Sequence, residues 1–192
     1  MKHIKSYPLY ESAGIKAELR ELIKNWVLGN EESYRFLPEH GDRLVELIDQ
    51  NPWLREESRR HLAGTGVKRL WRGLHDQWEE EYTDQLGGSN FSSYSSSMDV
   101  ASNFGSGDLL SIPVEEAIKH MLISIEWCAG WLGVEPFNQE EMQKFMDELD
   151  SGGINWDSDH DERWFRYMAW EQKEYLILNA EMDTTIEDRL NN

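Results

Sequence analysis

The chain is poor in cysteine and in basic residues, and it contains no long apolar run. Its single cysteine, Cys128, excludes an internal disulfide and a zinc finger, and it indicates no oxidising compartment. No segment approaches the length of a membrane span, and the opening MKHIKSYPLYESAG lacks the apolar core of a signal peptide. We therefore expect a cytoplasmic protein with no membrane partner, although a secretion route without a cleaved signal stays open.

Acidic residues dominate the charged residues of the chain. The sequence has 37 acidic and 19 basic residues, which gives a formal net charge of −18. Such a field repels phosphate backbones, so direct nucleic-acid binding is disfavoured. High solubility is the simplest interpretation of the acidity. Attraction to a basic partner and mimicry of nucleic acid are the alternatives.

Aromatic residues compensate for a modest hydrophobic fraction. The 192 residues include nine Trp, seven Tyr and six Phe, and each buries a large apolar surface. Length and composition therefore predict one folded domain.

The first third of the chain has the periodicity of helices. Residues 14–29 carry one apolar stripe, residues 42–49 carry a second, and Asn51-Pro52 resembles an N-cap and first turn of a third helix running to about Ala63. The Gly64-Thr65-Gly66 segment ends this third helix. We predict that residues 1–66 form an N-terminal helical part of the same domain.

After residue 66 the sequence predicts shorter elements of several kinds. Residues 67–74, 107–114 and 174–180 have the pattern of strands, whereas residues 75–88 and 156–163 are polar and predict loops or, for the first, a short helix. Residues 114–132 fit a helix or an alternating strand, and the longer pattern favours the helix. Asn138 with Glu141 predicts a capping box for another helix.

Three short motifs could carry chemistry: LWRG at 70–73, SYSSSMDVASNF at 93–104 and QKEYLIL at 172–178. Each alone is commonplace, because arginine often ends a strand and serines often form loops. The chain lacks GxSxG, P-loop and GxGxxG motifs. His160 lies among aspartates but without the spacing of a known metal motif, so we expect no metal.

In this order, the three motifs resemble the R-S-E class of ADP-ribosyltransferases, the cholera-toxin-like side of that superfamily. The small phage Mod-type transferases are most similar in appearance. Ser93-Tyr94-Ser95, followed by Ala101 and Phe104, matches the family pattern S-x-S-x(5)-A-x-x-F. The resemblance covers about residues 68–178. It implies an α+β fold with two small, mostly antiparallel sheets around an NAD cleft, N-terminal helices and a catalytic core at 67–192.

The resemblance also implies roles for the motif residues. Arg72 would hold the phosphate and ribose of NAD, and the Gly73 backbone would approach the nicotinamide amide. Ser93 would position the carboxylate of Glu174, which would bind the ribose 2′-hydroxyl and stabilise the developing cation. Gln172 would face the acceptor, because alternate residues of a strand point to one side.

Several neighbours of these residues also enter the prediction. Ser95 completes the serine motif, and the Tyr94 ring would either stack on nicotinamide or pack in the core. Ser92, Ser96 and Ser97 are expected in loop or cap positions. Trp170, Glu171 and Gln172 would end a loop that recognises the acceptor, and the same loop includes Trp164, Phe165 and Tyr167.

The chain departs from the family at one position that matters for specificity. Arginine-specific members usually carry Glu where this chain has Gln172, and a neutral amide cannot remove a proton. The Q-x-E form is similar to that of asparagine-modifying exoenzymes. A shift of one residue would instead bring in Glu171, so the acceptor stays open.

The resemblance predicts a mono-ADP-ribosyltransferase that uses NAD, needs no metal and acts on a protein. It is expected in the host cytoplasm if the protein is phage-encoded or delivered as an effector. An NAD glycohydrolase, or a non-catalytic acidic binding protein on the same fold, is the alternative.

Overall fold

The computed structural model describes residues 9–28, 38–74, 91–103, 108–151, 158–178 and 188–190, which contain eight helices and six strands. The predicted α+β class is therefore confirmed. The predicted acidic loop or helix at 75–88 lies outside the described residues.

Three helices form the first third, as predicted. They are α1 at Leu9–Leu28, α2 at Pro38–Gln50 and α3 at Pro52–Gly64. Pro52 occupies the first turn of α3, where a missing N–H costs nothing. Asn51 precedes it but makes no side-chain cap; its amide donates instead to the carbonyl of Leu47 at 2.9 Å.

The described strands form one sheet. They are β1 at Arg69–Leu74, β2 at Phe91–Ser95, β3 at Asp108–Pro113, β4 at Met121–Ser124, β5 at Glu174–Leu178 and β6 at Asp188–Leu190. The order is β4-β5-β2-β1-β3-β6, and all pairs are antiparallel. The prediction of two sheets was wrong for the described residues. The reason is local: β1 and β2 pair at Trp71 and Ser95, which joins two three-stranded halves.

Residues 114–132 do not form the continuous helix that we predicted. Helix α5 spans Val114–His120, strand β4 follows, and α6 spans Ile125–Leu132. All four residues of β4 are buried, so the strand shows none of the alternation that would distinguish it from a helix. Ser124 ends the strand and caps α6 by accepting a hydrogen bond from the Trp127 N–H.

Two of the remaining helices begin at a residue whose side chain caps the helix N-terminus. Helix α4 at Met98–Ser102 begins after Ser97, whose hydroxyl accepts from the Val100 N–H, so the predicted cap role of Ser97 is confirmed. Helix α7 at Gln139–Asp150 begins with the predicted capping box of Asn138 and Glu141.

Helix α8 at Ser158–Glu171 replaces two predicted loops, one at 156–163 and the acceptor loop before Glu174. Both predictions were wrong where they overlap it. Phe165 and Ala169, one helical turn apart, are buried in the core, and this packing stabilises a helix whose first turn is strongly polar. The aromatic residues of this segment therefore lie on a helix rather than in a recognition loop.

Two apolar clusters cover the two faces of the sheet. The larger contains residues of α1, α2 and α8 together with Phe91 and Leu176 from the sheet. The smaller contains Tyr94, Tyr175 and Leu70. Because the N-terminal helices share the larger cluster with β2 and β5, they cover the face of the sheet on which the candidate site is built.

Candidate active site

A cleft of about 320 Å³ lies where β1, β2 and β5 meet α1 and α8. Its volume is within the range of small-molecule sites, about 300 to 1,000 Å³. Six of the predicted site residues line it: Arg72, Gly73, Ser93, Ser95, Gln172 and Glu174. The three motifs thus come together in space although they are far apart in sequence.

Glu174 is the buried acid of this cleft. It begins β5, is 6% exposed, and accepts hydrogen bonds on Oε1 from the Ser93 hydroxyl and from the Trp26 indole N–H, the latter at 2.8 Å. Its Oε2 has no hydrogen-bond partner among the described residues. Burial raises the pKa of Glu174, and the bonds from Ser93 and Trp26 oppose that rise.

The strand register explains why the serines reach Glu174. Ser95 lies directly opposite Glu174, and Ser93 lies opposite Leu176, so all four side chains share one face of the sheet. On that face the strands change from apolar to polar towards the cleft, from Phe91 to Ser93 and Ser95. The segment predicted as a serine motif is therefore a strand whose alternate hydroxyls face the cleft.

Arg72 and Gly73 approach from β1. The Arg72 guanidinium donates to the Ser92 hydroxyl at 2.8 Å. Ser92 lies within β2, so its predicted loop or cap position was wrong, and it faces away from Ser93 and Glu174 because neighbouring residues of a strand point to opposite faces. Among the lining residues that the structure describes, Arg72 is the only cation and Glu174 the only carboxylate. The described lining therefore contains one cationic and one acidic residue.

A tight turn, rather than strand alternation, brings Gln172 to the cleft. Strand β5 begins only at Glu174, and Lys173 has a φ of 47°, a left-handed conformation that is uncommon for a residue with a side chain. The turn is held to β2: the Ser95 hydroxyl donates to the Gln172 carbonyl at 2.7 Å, and the Ser96 N–H donates to the Lys173 carbonyl at 3.1 Å. The predicted reason for Gln172 facing the acceptor was wrong, while its place at the cleft is observed.

Three predicted residues do not line the cleft. Tyr94 is 1% exposed and lies on the opposite face of β2 with Tyr175, so its ring packs in the core and does not reach a nicotinamide in this cleft. Trp170 donates its indole N–H to the Val134 carbonyl at 2.9 Å. Glu171 is exposed at the end of α8. Of the family pattern, Ala101 lines the cleft, and Phe104 lies outside the described residues.

Trp26 is the site residue that the sequence did not reveal. It belongs to α1, which no motif covers, and its spacing marks it only as part of an apolar stripe. A signal was nonetheless available, because a tryptophan near a core usually needs a partner for its N–H. Trp71, which flanks Arg72 on β1, also lines the cleft and was not predicted.

The described residues include no group of three or more His, Cys, Asp or Glu side chains that could hold a metal ion. Asp157, one of the aspartates near His160, lies outside them. No helix in the described part of the chain is both long and apolar enough to cross a membrane. Comparison with protein-family models, with curated protein sequences and with solved structures finds no match to this chain.

Proposed function

We propose that this protein is a mono-ADP-ribosyltransferase, which transfers ADP-ribose from NAD to a side chain of another protein and releases nicotinamide. The observation that carries the proposal is the pair formed by Ser93 and the buried Glu174, in one cleft with Arg72. These are the residues to which the motif resemblance assigns the roles of serine, acid and arginine.

The chemistry needs a carboxylate where positive charge develops. The bond between nicotinamide and ribose breaks with its electron pair leaving on nicotinamide, and the ribose passes through an oxocarbenium-like state. An acceptor atom then bonds to the same ribose carbon and loses its proton to solvent. The Glu174 carboxylate would stabilise the cation, and a buried position strengthens that interaction because little water screens it.

Glu174 also has an atom to offer the ribose. Its Oε1 already accepts from two donors, whereas Oε2 has none among the described residues. Oε2 is itself buried, so a ribose hydroxyl would have to displace the groups that cover it before donating to it. That bond would favour the ionised carboxylate, and so oppose the effect of burial on its pKa.

Arg72 suits the dinucleotide's phosphates. A guanidinium is always charged and binds phosphate oxygens with a planar set of donors. Arg72 is half-buried and has no acidic partner among the described residues, but its guanidinium bonds to Ser92 on the face of β2 opposite Ser93, so binding a phosphate in the cleft would require it to leave Ser92. Gly73 beside it carries no side chain, which permits close approach of a ligand to the backbone.

The neighbours of Glu174 bear on which side chain would be modified. Gln172 lines the cleft and its amide contacts the Met168 sulfur at 3.6 Å, whereas Glu171 is exposed and does not line the cleft. Glu174 is thus the only carboxylate among the described lining residues. A guanidinium acceptor is a cation and would lack a second carboxylate to pair with its charge, whereas an amide or hydroxyl acceptor is neutral and needs no such partner, so we propose an amide or hydroxyl acceptor.

Labelled NAD incubated with the purified protein and a cell lysate tests the proposal. Label on protein supports a transferase, whereas free ADP-ribose alone would indicate an NAD glycohydrolase. Neither product would indicate the non-catalytic binding protein. Glu174→Gln should lower the rate of labelling on the order of 100-fold or more, and Glu171→Gln provides a matched control because it makes the same change at an exposed position three residues away.

A further inference from the structure

Helix α1 contributes to the cleft from outside the three motifs. Leu19, Leu22 and Ile23 are almost fully buried in the larger cluster and fix the helix against the sheet. Trp26 follows on the same helix. Its ring contacts Phe91 of β2, with centroids 5.2 Å apart and planes tilted by 51°, and its N–H donates to Glu174.

We propose that Trp26 is a positioning residue of the transferase site, holding the Glu174 carboxylate in the orientation that catalysis requires. This inference rests on the proposed function for its catalytic meaning. The hydrogen bond spans 148 residues of sequence, so only docking of α1 on the sheet can form it. Helix α1 thereby becomes part of the proposed active site.

The two donors converge on a single oxygen. Ser93 from β2 and Trp26 from α1 both donate to Oε1 of Glu174. Two donors from different elements restrict the rotation of the carboxylate more than one donor can, and they leave Oε2 buried and without a donor among the described residues. A carboxylate turned away from the ribose would lose much of its effect, because small misplacements cost about a hundredfold in rate.

The hydrogen bond from Trp26 also has an electrostatic effect on Glu174 that packing alone would not produce. A donor to a carboxylate favours its ionised form, so loss of the Trp26 N–H should raise the pKa of Glu174. The groups facing Glu174 are few. Ser93 and Trp26 are neutral donors, and Arg72, the only other charged residue among the described residues lining the cleft, bonds to Ser92 on the opposite face of β2.

The test compares three forms of the full-length protein with the wild type. Trp26→Phe removes the N–H and part of the ring. Replacing Trp26 with 3-benzothienylalanine keeps the two-ring shape and its contact with Phe91 while removing only the N–H. Trp53→Phe is the matched control, because Trp53 packs against Trp127 and Trp131 and does not line the cleft.

Two readouts are taken. The pKa of Glu174 is measured by NMR on protein labelled with ¹³C at the glutamate carboxyl, the resonance being assigned by its loss in Glu174→Gln. The rate of ADP-ribose transfer is measured as a function of pH.

We expect both Trp26 variants to raise the pKa of Glu174, to move the acid limb of the rate profile to higher pH and to lower kcat about tenfold or more. Trp53→Phe should match the wild type.

An unchanged pKa of Glu174 in the folded benzothienylalanine protein would overturn the inference, and so would a raised pKa with an unaltered rate profile. The benzothienylalanine form keeps the test decisive if Trp26→Phe fails to fold. The NMR measurement needs no NAD. A wild type that transfers nothing would therefore refute the proposed function, while an unmoved pKa would refute the role of Trp26.

Discussion

The hydroxyl of Ser93 donates a hydrogen bond to the carboxylate of Glu174, although 81 residues separate them in sequence. Their strands, β2 and β5, are antiparallel neighbours, and Ser93 lies two positions from Ser95, the direct partner of Glu174. The two side chains consequently share a face and meet diagonally. This contact connects the second and third motifs, and Arg72 reaches the same cleft from β1.

Glu174→Gln should retain NAD binding and lose most transferase turnover. The amide keeps the size of the side chain but removes the charge that would stabilise the cation. Removal of such an electrostatic stabiliser costs on the order of 100-fold or more in rate. Single-turnover kinetics with calorimetric measurement of NAD affinity would separate the two effects. Near-normal transfer by this variant would show that Glu174 is not the catalytic acid.

The same substitution should stabilise the fold, and more so at higher pH. Burial raises the pKa of Glu174 above its ordinary value of 4.5. Below that pH, Glu174 is protonated and its burial does not lower the free energy of unfolding. As the pH rises through the pKa of the folded state, the buried group ionises at a cost, and the free energy of unfolding falls. Gln cannot ionise and avoids this loss. The gain in Tm over the wild type should be small at acidic pH, grow as the pH rises through the folded-state pKa of Glu174 and stay constant above it.

Thermal unfolding across this pH range checks the stability prediction. Glu171→Gln is the control, because Glu171 is exposed and a charge there loses little hydration on folding. A Tm difference for Glu174→Gln that is independent of pH, or that decreases as pH rises, would contradict the prediction.

Arg72→Lys should weaken NAD binding. Lysine keeps the charge but not the planar set of donors, and the bond to Ser92 would be altered. We expect KM for NAD to rise about tenfold with a smaller change in kcat, the pattern of lost ground-state binding. Arg69→Lys is the comparison: Arg69 is on the same strand but donates to Ser111 and does not line the cleft. Equal effects of the two substitutions would argue against a phosphate role for Arg72.

The residue modified on the target protein should be an amide or hydroxyl side chain, identified by mass spectrometry. Gln172→Glu places a second carboxylate at the cleft, so it should introduce or increase arginine modification. Glu171→Ala should change neither the acceptor nor the rate substantially, since Glu171 is exposed and does not line the cleft. Arginine modification by the wild type that disappears in Glu171→Ala would make Glu171 the acceptor-facing acid.

Local patterns predicted the elements that are long or capped. The stripe of α1, the proline in the first turn of α3 and the capping box of Asn138 all depend on residues close in sequence, and each is present. Patterns failed where tertiary burial overrode local polarity. Strand β4 is buried throughout and shows no alternation, and the polar start of α8 concealed a helix whose later residues, Phe165 and Ala169, are in the core.

For the site, the sequence showed which chemical groups are available: an arginine, a run of serines and a glutamate, each in one of three short motifs. Their geometry depends on tertiary contacts. Strand register put Ser93 rather than Tyr94 beside Glu174, a left-handed turn at Lys173 brought Gln172 to the cleft, and the docking of α1 added Trp26. These contacts join residues far apart in the chain, and no local spacing encodes them, because they arise only when buried faces of distant elements pack together.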